Sequence, residues 1–110
     1  MAYIPTVLYP TGTPASTGVT LYTVGANKSV IVKNLVMANT TGNEATITVH
    51  IVPSGGSASN TNRILSSYAV PANGASTLDC SIVMPDGSSL FAQNGTNGAV
   101  TLTISGVEIV

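Results

Sequence analysis

Hydrophobic and polar residues alternate along most of this chain, with the period of two that is typical of β-strands. The clearest example is the segment 45–52. One of its faces carries Ala45, Ile47, Val49 and Ile51, and the other carries Thr46, Thr48 and His50. Gly, Pro and Asn interrupt such segments about every eight to twelve residues, which favours a β-sandwich or barrel. No segment shows a sustained helical period.

Further strands are predicted at 19–24, 30–38, 63–70, 75–84, 88–93 and 100–104. Segment 30–38 is apolar on both faces except at Lys33 and Asn34, which predicts a central strand or a strand bulged there. After Gly106 the apolar positions change from even to odd numbers, at Val107 and Ile109, which predicts a β-bulge near Ser105–Gly106. We therefore expect an all-β fold, an antiparallel β-sandwich of jelly-roll type with about seven or eight strands.

A short sequence occurs twice, which indicates a symmetry between two sheets. Tyr22–Asn27 reads YTVGAN, and Tyr68–Asn73 reads YAVPAN. Each copy ends a predicted strand in a turn and precedes a strand that contains Val-Met. Two similar hairpins facing each other would produce this pattern, and chance reuse of a common turn is the alternative.

Residues 1–17 differ from the rest of the chain, because Pro5, Pro10 and Pro14 oppose helix and central-strand hydrogen bonding. We expect an extended N-terminal arm and linker at 1–17, followed by a sandwich domain at 18–110. The apolar side chains of the arm need cover. They would lie as an edge strand on their own domain or reach a neighbouring subunit.

Segment 53–62 is a Gly-rich loop without the Gly-Lys-Ser/Thr ending of a phosphate cradle. It is a mobile hairpin tip or a surface that contacts a partner. The candidate partner-binding residues of the arm and of this loop are Tyr3, Ile4, Val7, Leu8, Tyr9, Ser54, Gly55, Gly56, Ser57 and Asn60.

Only 6% of the 110 residues are charged, whereas an ordinary soluble domain is about a quarter charged. The net charge is −1 and the three basic residues are scattered, so we expect no nucleic-acid partner. No apolar stretch approaches the roughly 18–20 residues that span a bilayer, and the N-terminus does not resemble a signal peptide. We expect no membrane partner and a protein made in a cytoplasm.

Few residues are suited to catalysis. His50 is the only histidine, and on the polar face of its strand we expect it at the surface or in an interface rather than on a metal. Cys80 lies on an apolar face with Leu78 and Ile82, where a thiol acts as a small hydrophobic group. The separation of Glu44 and Glu108 along the sequence neither supports nor excludes a pair of catalytic carboxylates like that of a glycosidase. We expect no enzyme, no metal site and no cofactor.

Segment 21–35, LYTVGANKSVIVKNL, resembles the opening of small bacteriophage virion structural proteins. Their next stretch is similar to Ala38–Val49, and their closing strand is similar to Val100–Glu108. The resemblance covers roughly residues 19–109, and Gly25 stands where that group has proline. It implies a head decoration or tail-associated protein, and it implies no catalytic residues.

The resemblance and the low charge together predict a capsid cement or decoration protein that binds the major capsid protein and stabilises the head. It would reside in the virion after assembly in the host cytoplasm, as a homo-oligomer for which a trimer is favoured. The alternative is a tail, fibre or head-spike module that binds host surface glycans. Carbohydrate sites usually need aromatic platforms, and this chain has no Trp.

Overall fold

The computed structural model describes residues 2–14, 16–96 and 98–110, without the side chains of Pro10 and Thr11. Met1 and Ala15 of the predicted arm and Asn97 of a predicted turn lie outside the described residues. The strands are β1 (Tyr3–Gly12), β2 (Val19–Thr23), β3 (Ser29–Asn39), β4 (Ala45–Val52), β5 (Arg63–Val70), β6 (Ala75–Met84), β7 (Ser89–Asn94) and β8 (Val100–Ile109). A search of the described residues finds no helix long and apolar enough to cross a membrane.

The strands form two four-stranded antiparallel sheets that pack as a sandwich. Sheet A has the order β1-β8-β3-β6, and sheet B has the order β2-β7-β4-β5. This interleaved order is that of an eight-stranded jelly roll. The predicted all-β jelly-roll sandwich is therefore confirmed.

The core lies between the sheets and is built from the inward residues of each alternating strand. In β3 the residues Val30, Val32, Leu35 and Met37 are buried, and in β8 the residues Val100, Leu102 and Ile104 are buried. The predicted position of β3 is confirmed, because β3 is central in sheet A. Its register against β8 also shifts between Val32 and Asn34, so Lys33 is the extra residue of a bulge there, whereas against β6 the extra residue belongs to β6.

The predicted irregularity near Ser105–Gly106 is present, but the extra residues belong to the neighbouring strands. Opposite this point β3 has the additional residue Lys33, and β1 has the additional residue Leu8. Strand β8 itself keeps its alternation through Gly106. Consequently Val107 and Ile109 point outward and not into the core, and Glu108 points inward.

The repeated sequence marks two equivalent connections, although neither is a hairpin. Each copy leads from a strand of sheet B to a strand of sheet A, from β2 to β3 and from β5 to β6. In each copy the valine, Val24 or Val70, is buried, and the asparagine, Asn27 or Asn73, has a positive φ of 61° or 52°. The repeat therefore encodes a crossing between the sheets.

Most of the predicted arm forms β1, which pairs with β8 from Tyr3 opposite Ile109 to Gly12 opposite Leu102. Of the two alternatives predicted for these apolar side chains, the structure shows the edge strand on their own domain. The chain then continues through the connection 13–18 to β2 at the edge of sheet B.

Two buried amides hold the connections at the end of the sandwich opposite the chain termini. Asn39 donates from Nδ2 to the carbonyl oxygens of Asn43 and Val70, at 2.7 and 3.1 Å. Asn94 donates from Nδ2 to the carbonyl oxygen of Pro14 at 2.6 Å and accepts from the Val100 N–H at 3.0 Å. In the described residues every buried side-chain N or O atom has a hydrogen-bond partner.

We predict that Gly106→Ala destabilises the protein by about 1–3 kcal/mol. A methyl group at this position would overlap the carbonyl oxygen of Ile31 and approach the Leu8 side chain to 3.2 Å. The measurement is urea unfolding, with Gly42→Ala as the control, because a methyl group on Gly42 meets nothing within 4 Å. Equal stability of the two variants would contradict the tight packing at Gly106.

Candidate functional site

The outer face of sheet A carries an apolar row that runs across all four strands. Pro5 pairs with Val107, Val107 with Ile31, and Ile31 with Val83. Residues paired in this way share one face of a sheet with neighbouring side chains. Val83 is 63% exposed, and the other three side chains are exposed or half-buried. The row is an apolar surface that is partly open to solvent.

Further apolar side chains widen this surface on both sides of the apolar row. Tyr3 pairs with Ile109 on one side, and Val7 pairs with Ser105 on the other. Tyr3 and Val7 are 65% and 59% exposed. The sequence pattern does not identify Ile31, Val83, Val107 and Ile109 as one exposed surface. Segment 30–38 is apolar on both faces, and the bulge predicted near Ser105–Gly106 would turn Val107 and Ile109 toward the core.

Segment 53–62 contacts the outer face of sheet B through Asn62, which lies against His50. Asn62 holds this segment in place. Its Oδ1 accepts from the Ser59 N–H at 3.0 Å and lies 2.8 Å from His50 Nδ1, and its Nδ2 donates to the Ser57 carbonyl at 2.9 Å. The Asn62 carbonyl also accepts from the Ile51 N–H at 3.0 Å. The loop is thus anchored by one side chain.

His50 lies beneath this loop, so the prediction of a surface or interface histidine is wrong. Its side chain is only 2% exposed, and its ring meets the Phe91 ring edge-on, with centroids 5.6 Å apart. Because Asn62 Nδ2 donates to the Ser57 carbonyl, Asn62 Oδ1 faces His50 and accepts a hydrogen bond from His50 Nδ1. His50 thus serves to position the loop.

The structure separates the predicted contact residues of β1 into exposed and buried ones. Tyr3 and Val7 point outward, and Ile4 is 44% exposed. Leu8 is 3% exposed and belongs to the core, and Tyr9 is half-buried against it. Leu8 is therefore not available to a partner in this arrangement, because the bulge of β1 turns it inward.

The predicted contact residues of the loop are all exposed, namely Ser54, Gly55, Gly56, Ser57 and Asn60. The loop shares one end of the sandwich with the start of β1, the last residues of β8 and the turns 24–28 and 85–88. We call this the loop end. The two predicted contact regions, assigned separately from the sequence, therefore lie at the same end of the molecule.

Glu108 links the two sheets near the loop end. The Tyr22 hydroxyl donates to Glu108 Oε2 at 3.0 Å, and Lys28 Nζ lies 3.6 Å from Glu108 Oε1. Burial of Tyr22, together with its hydrogen bond to the Glu108 carboxylate, raises the pKa of the phenol. The Tyr22 hydroxyl and the Lys28 ammonium group thus serve as partners of the inward Glu108 carboxylate. Glu44 lies at the opposite end of the sandwich, in the connection between β3 and β4. The two carboxylates do not form a glycosidase pair.

The remaining polar groups of the described residues surround an open depression and not an enclosed cavity. Lys33 Nζ donates to Ser81 Oγ at 2.7 Å, and Asn34 Nδ2 donates to Asp79 Oδ1 at 2.8 Å, around a shallow depression open to solvent. Burial raises the pKa of the Cys80 thiol, which donates to the Val32 carbonyl at 3.3 Å. Among residues 2–14, 16–96 and 98–110 no three His, Cys, Asp or Glu side chains could hold a metal ion.

An apolar groove of about 160 Å³ opens between the edge strands β5 and β6. Small-molecule pockets are typically about 300–1,000 Å³ and enclose most of their ligand. The groove is lined by Leu35, Ile64, Leu65, Leu78, Asp79, Cys80 and Ile82. It is too small for a typical organic ligand, so the outer face of sheet A and the loop end are the candidate functional surfaces.

Comparison with known proteins finds similarity in structure but not in sequence. No protein-family model and no curated protein matches the chain. The structure is similar to the Drosophila NLP core, described in terms of pentamer formation and histone binding, with a TM-score of 0.51 and 11% identity over the whole of both chains. It is also similar to a chain of infectious bursal disease virus, Gt strain, with a TM-score of 0.50 and 12% identity. That match covers 97% of this chain and 30% of the viral chain. At such identities the likeness shows the fold alone.

We predict that Asn62→Ala releases the loop 53–62 and destabilises the protein by about 1–3 kcal/mol, because His50 and the Ser59 N–H lose their shared acceptor. Hydrogen exchange should accelerate at residues 54–62 and not in β3. Asn60→Ala is the matched control, since Asn60 is exposed in the same loop. Equal exchange in the two variants would show that Asn62 does not hold the loop.

Proposed function

We propose that this chain is a structural protein of a bacteriophage virion, and that it acts without enzymatic activity as a capsid cement or decoration protein. It would bind the major capsid protein on the outside of the head and stabilise the shell. The observation that carries this proposal is that the loop 53–62 and the start of β1 are both exposed at one end of the sandwich, which is suited to contact with a protein partner.

The sequence and the fold support the viral part of the proposal. The resemblance over residues 19–109 is to phage virion proteins, and the jelly-roll architecture is shared with a chain of a virus. One fold neighbour is described as a pentamer, and we propose that this chain also assembles with copies of itself. The virion is then its location, after assembly in the host cytoplasm.

We propose the loop end as the region that contacts the shell. Its loop 53–62 presents small uncharged side chains, and Tyr3 and Ile4 lie at the same end. A contact made from such groups avoids the desolvation of charges. The glycan-binding alternative has less support, because Tyr3 is the one aromatic side chain among the described residues that is largely exposed.

The first test is the number of copies per virion, measured by quantitative mass spectrometry against the major capsid protein. A cement protein should be present at a ratio near one and should bind empty shells without host material. Shells that carry it should survive heating that bursts bare shells. A handful of copies together with binding to host polysaccharide would support the tail, fibre or spike alternative, and absence from virions would overturn both.

We predict that the double variant Ser57→Glu, Asn60→Glu binds shells at least about tenfold more weakly, because two carboxylates would be buried without partners. The control is Asn43→Glu, which adds a charge in an exposed turn at the opposite end of the sandwich. The measurement is sedimentation of labelled protein with shells. Equal loss of binding in both variants would exclude the loop end as the specific contact.

A further inference from the structure

The two sheets differ in how their outer faces are covered. On the outer face of sheet B, His50 lies against Asn62 of the loop 53–62 and is 2% exposed. On the outer face of sheet A, Tyr3, Val7 and Val83 are about two-thirds exposed, at 65%, 59% and 63%. A sheet that is apolar on both faces normally packs on both faces. The outer face of sheet A therefore lacks a layer.

The edge of sheet A beside this face is unsuited to the addition of a further strand. Pro5 has no N–H, and proline in an edge strand lies with its nitrogen toward solvent. A partner that extended β1 would lose a ladder hydrogen bond at this point. Association through the face is favoured over association through the β1 edge.

We propose that the outer face of sheet A binds the same face of a second copy of this chain. The two copies would be related by a twofold axis that runs parallel to the strands, between β8 and β3. This rotation places Ile31 against Val107 of the second copy and Val83 against Pro5 of the second copy. Apolar side chains then meet apolar side chains along the whole apolar row, as an isologous interface requires.

The size of the face fits a stable dimer. Four strands about 4.8 Å apart and the eleven residues of β3 at about 3.3 Å each give roughly 700 Å² per copy. Two copies then bury about 1,400 Å², within the range of about 1,200–2,000 Å² of specific interfaces. The apolar side chains of the face supply about half of this area. Uncharged residues, chiefly Thr77, Thr101 and Thr103, supply much of the rest.

Charge does not oppose this arrangement. On the paired strands the face carries two charged side chains, Lys33 and Asp79, and each already has a partner in its own chain. Lys33 binds the Ser81 hydroxyl, and Asp79 binds the Asn34 amide. The rotation sets the Lys33 region against Ser105 of the second copy and leaves Asp79 at the rim, so no like charges meet.

The proposed oligomer is a dimer and not the trimer expected from the sequence. A threefold ring joins two different surfaces of each copy, whereas a twofold contact joins one surface to itself. The inference rests on the assembly role proposed above, but it does not depend on which shell protein is bound.

Sedimentation equilibrium of the purified protein at micromolar concentrations tests this inference. We expect a dimer for the unmodified chain and a monomer for Val83→Lys, whose dimer dissociation constant should be at least about tenfold higher. Thr20→Lys is the matched control, because Thr20 is an exposed residue of an edge strand in sheet B. It should remain dimeric. Thermal unfolding checks that both variants are folded.

A crosslink tests the orientation. In a Cys80→Ser background, the single variants Pro5→Cys and Val83→Cys are mixed and treated with a bis-maleimide that spans about 10 Å, because facing residues of two packed sheets lie about 10 Å apart and are too far for a disulfide. Positions 5 and 83 face each other across the proposed axis, so the mixture should give a covalent dimer. A mixture of Pro5→Cys and Thr20→Cys should not.

A monomeric or trimeric unmodified chain, or a dimer that Val83→Lys leaves intact, would overturn the inference. Shell binding by the same proteins separates this outcome from the proposed function. If the chain is monomeric and binds shells, the proposed dimer is excluded and the cement role is supported. If the chain is dimeric and absent from virions, the cement role is excluded and the dimer is supported.

Discussion

The register of β8 is the constraint on which the rest of this molecule depends. The strand is paired on both sides, with β1 and with β3, so its alternation sets the faces of three strands at once. It keeps that alternation through Gly106, and its neighbours absorb the mismatch with the extra residues Leu8 and Lys33. One face of sheet A thereby receives Val107 and Ile109, and the interior receives a carboxylate.

The inward Glu108 explains several features near the loop end. A carboxylate in a sandwich interior costs several kcal/mol unless it is paired and hydrogen-bonded. Tyr22 from sheet B and Lys28 from the β2–β3 connection supply these partners. At the other end of the sandwich Asn39 and Asn94 satisfy backbone groups of the turns in a similar way. Polar side chains thus hold both ends of an otherwise aliphatic core.

Much of the fold could be predicted from the sequence, because period-two alternation and turn residues report local geometry directly. Seven of the eight strands, the central place of β3 and the bulge at Lys33 follow from such patterns, whereas for the segment that forms β1 an edge strand was one of two alternatives. The repeated YTVGAN and YAVPAN segments were interpreted as hairpins, since a local pattern does not state that the strand after a turn belongs to the other sheet.

The candidate surfaces were less accessible to sequence reasoning. The exposed loop and the start of β1 were predicted as contact regions, but Leu8 was included because a one-residue bulge was not foreseen. The apolar row was missed because an apolar residue is usually assigned to the core, whereas much of any folded surface is apolar. His50 was misplaced for a related reason, since the loop that covers it comes from twelve residues further along the chain.

At ordinary ionic strength, salt largely screens the attraction between exposed charges more than about 10 Å apart, and the outer face of sheet A offers almost no charge to be screened. Apolar burial instead strengthens with sulfate or phosphate and weakens on cooling. The strength of a contact made through this face therefore depends little on charge screening. Cooling, rather than screening by salt, is the condition that weakens it.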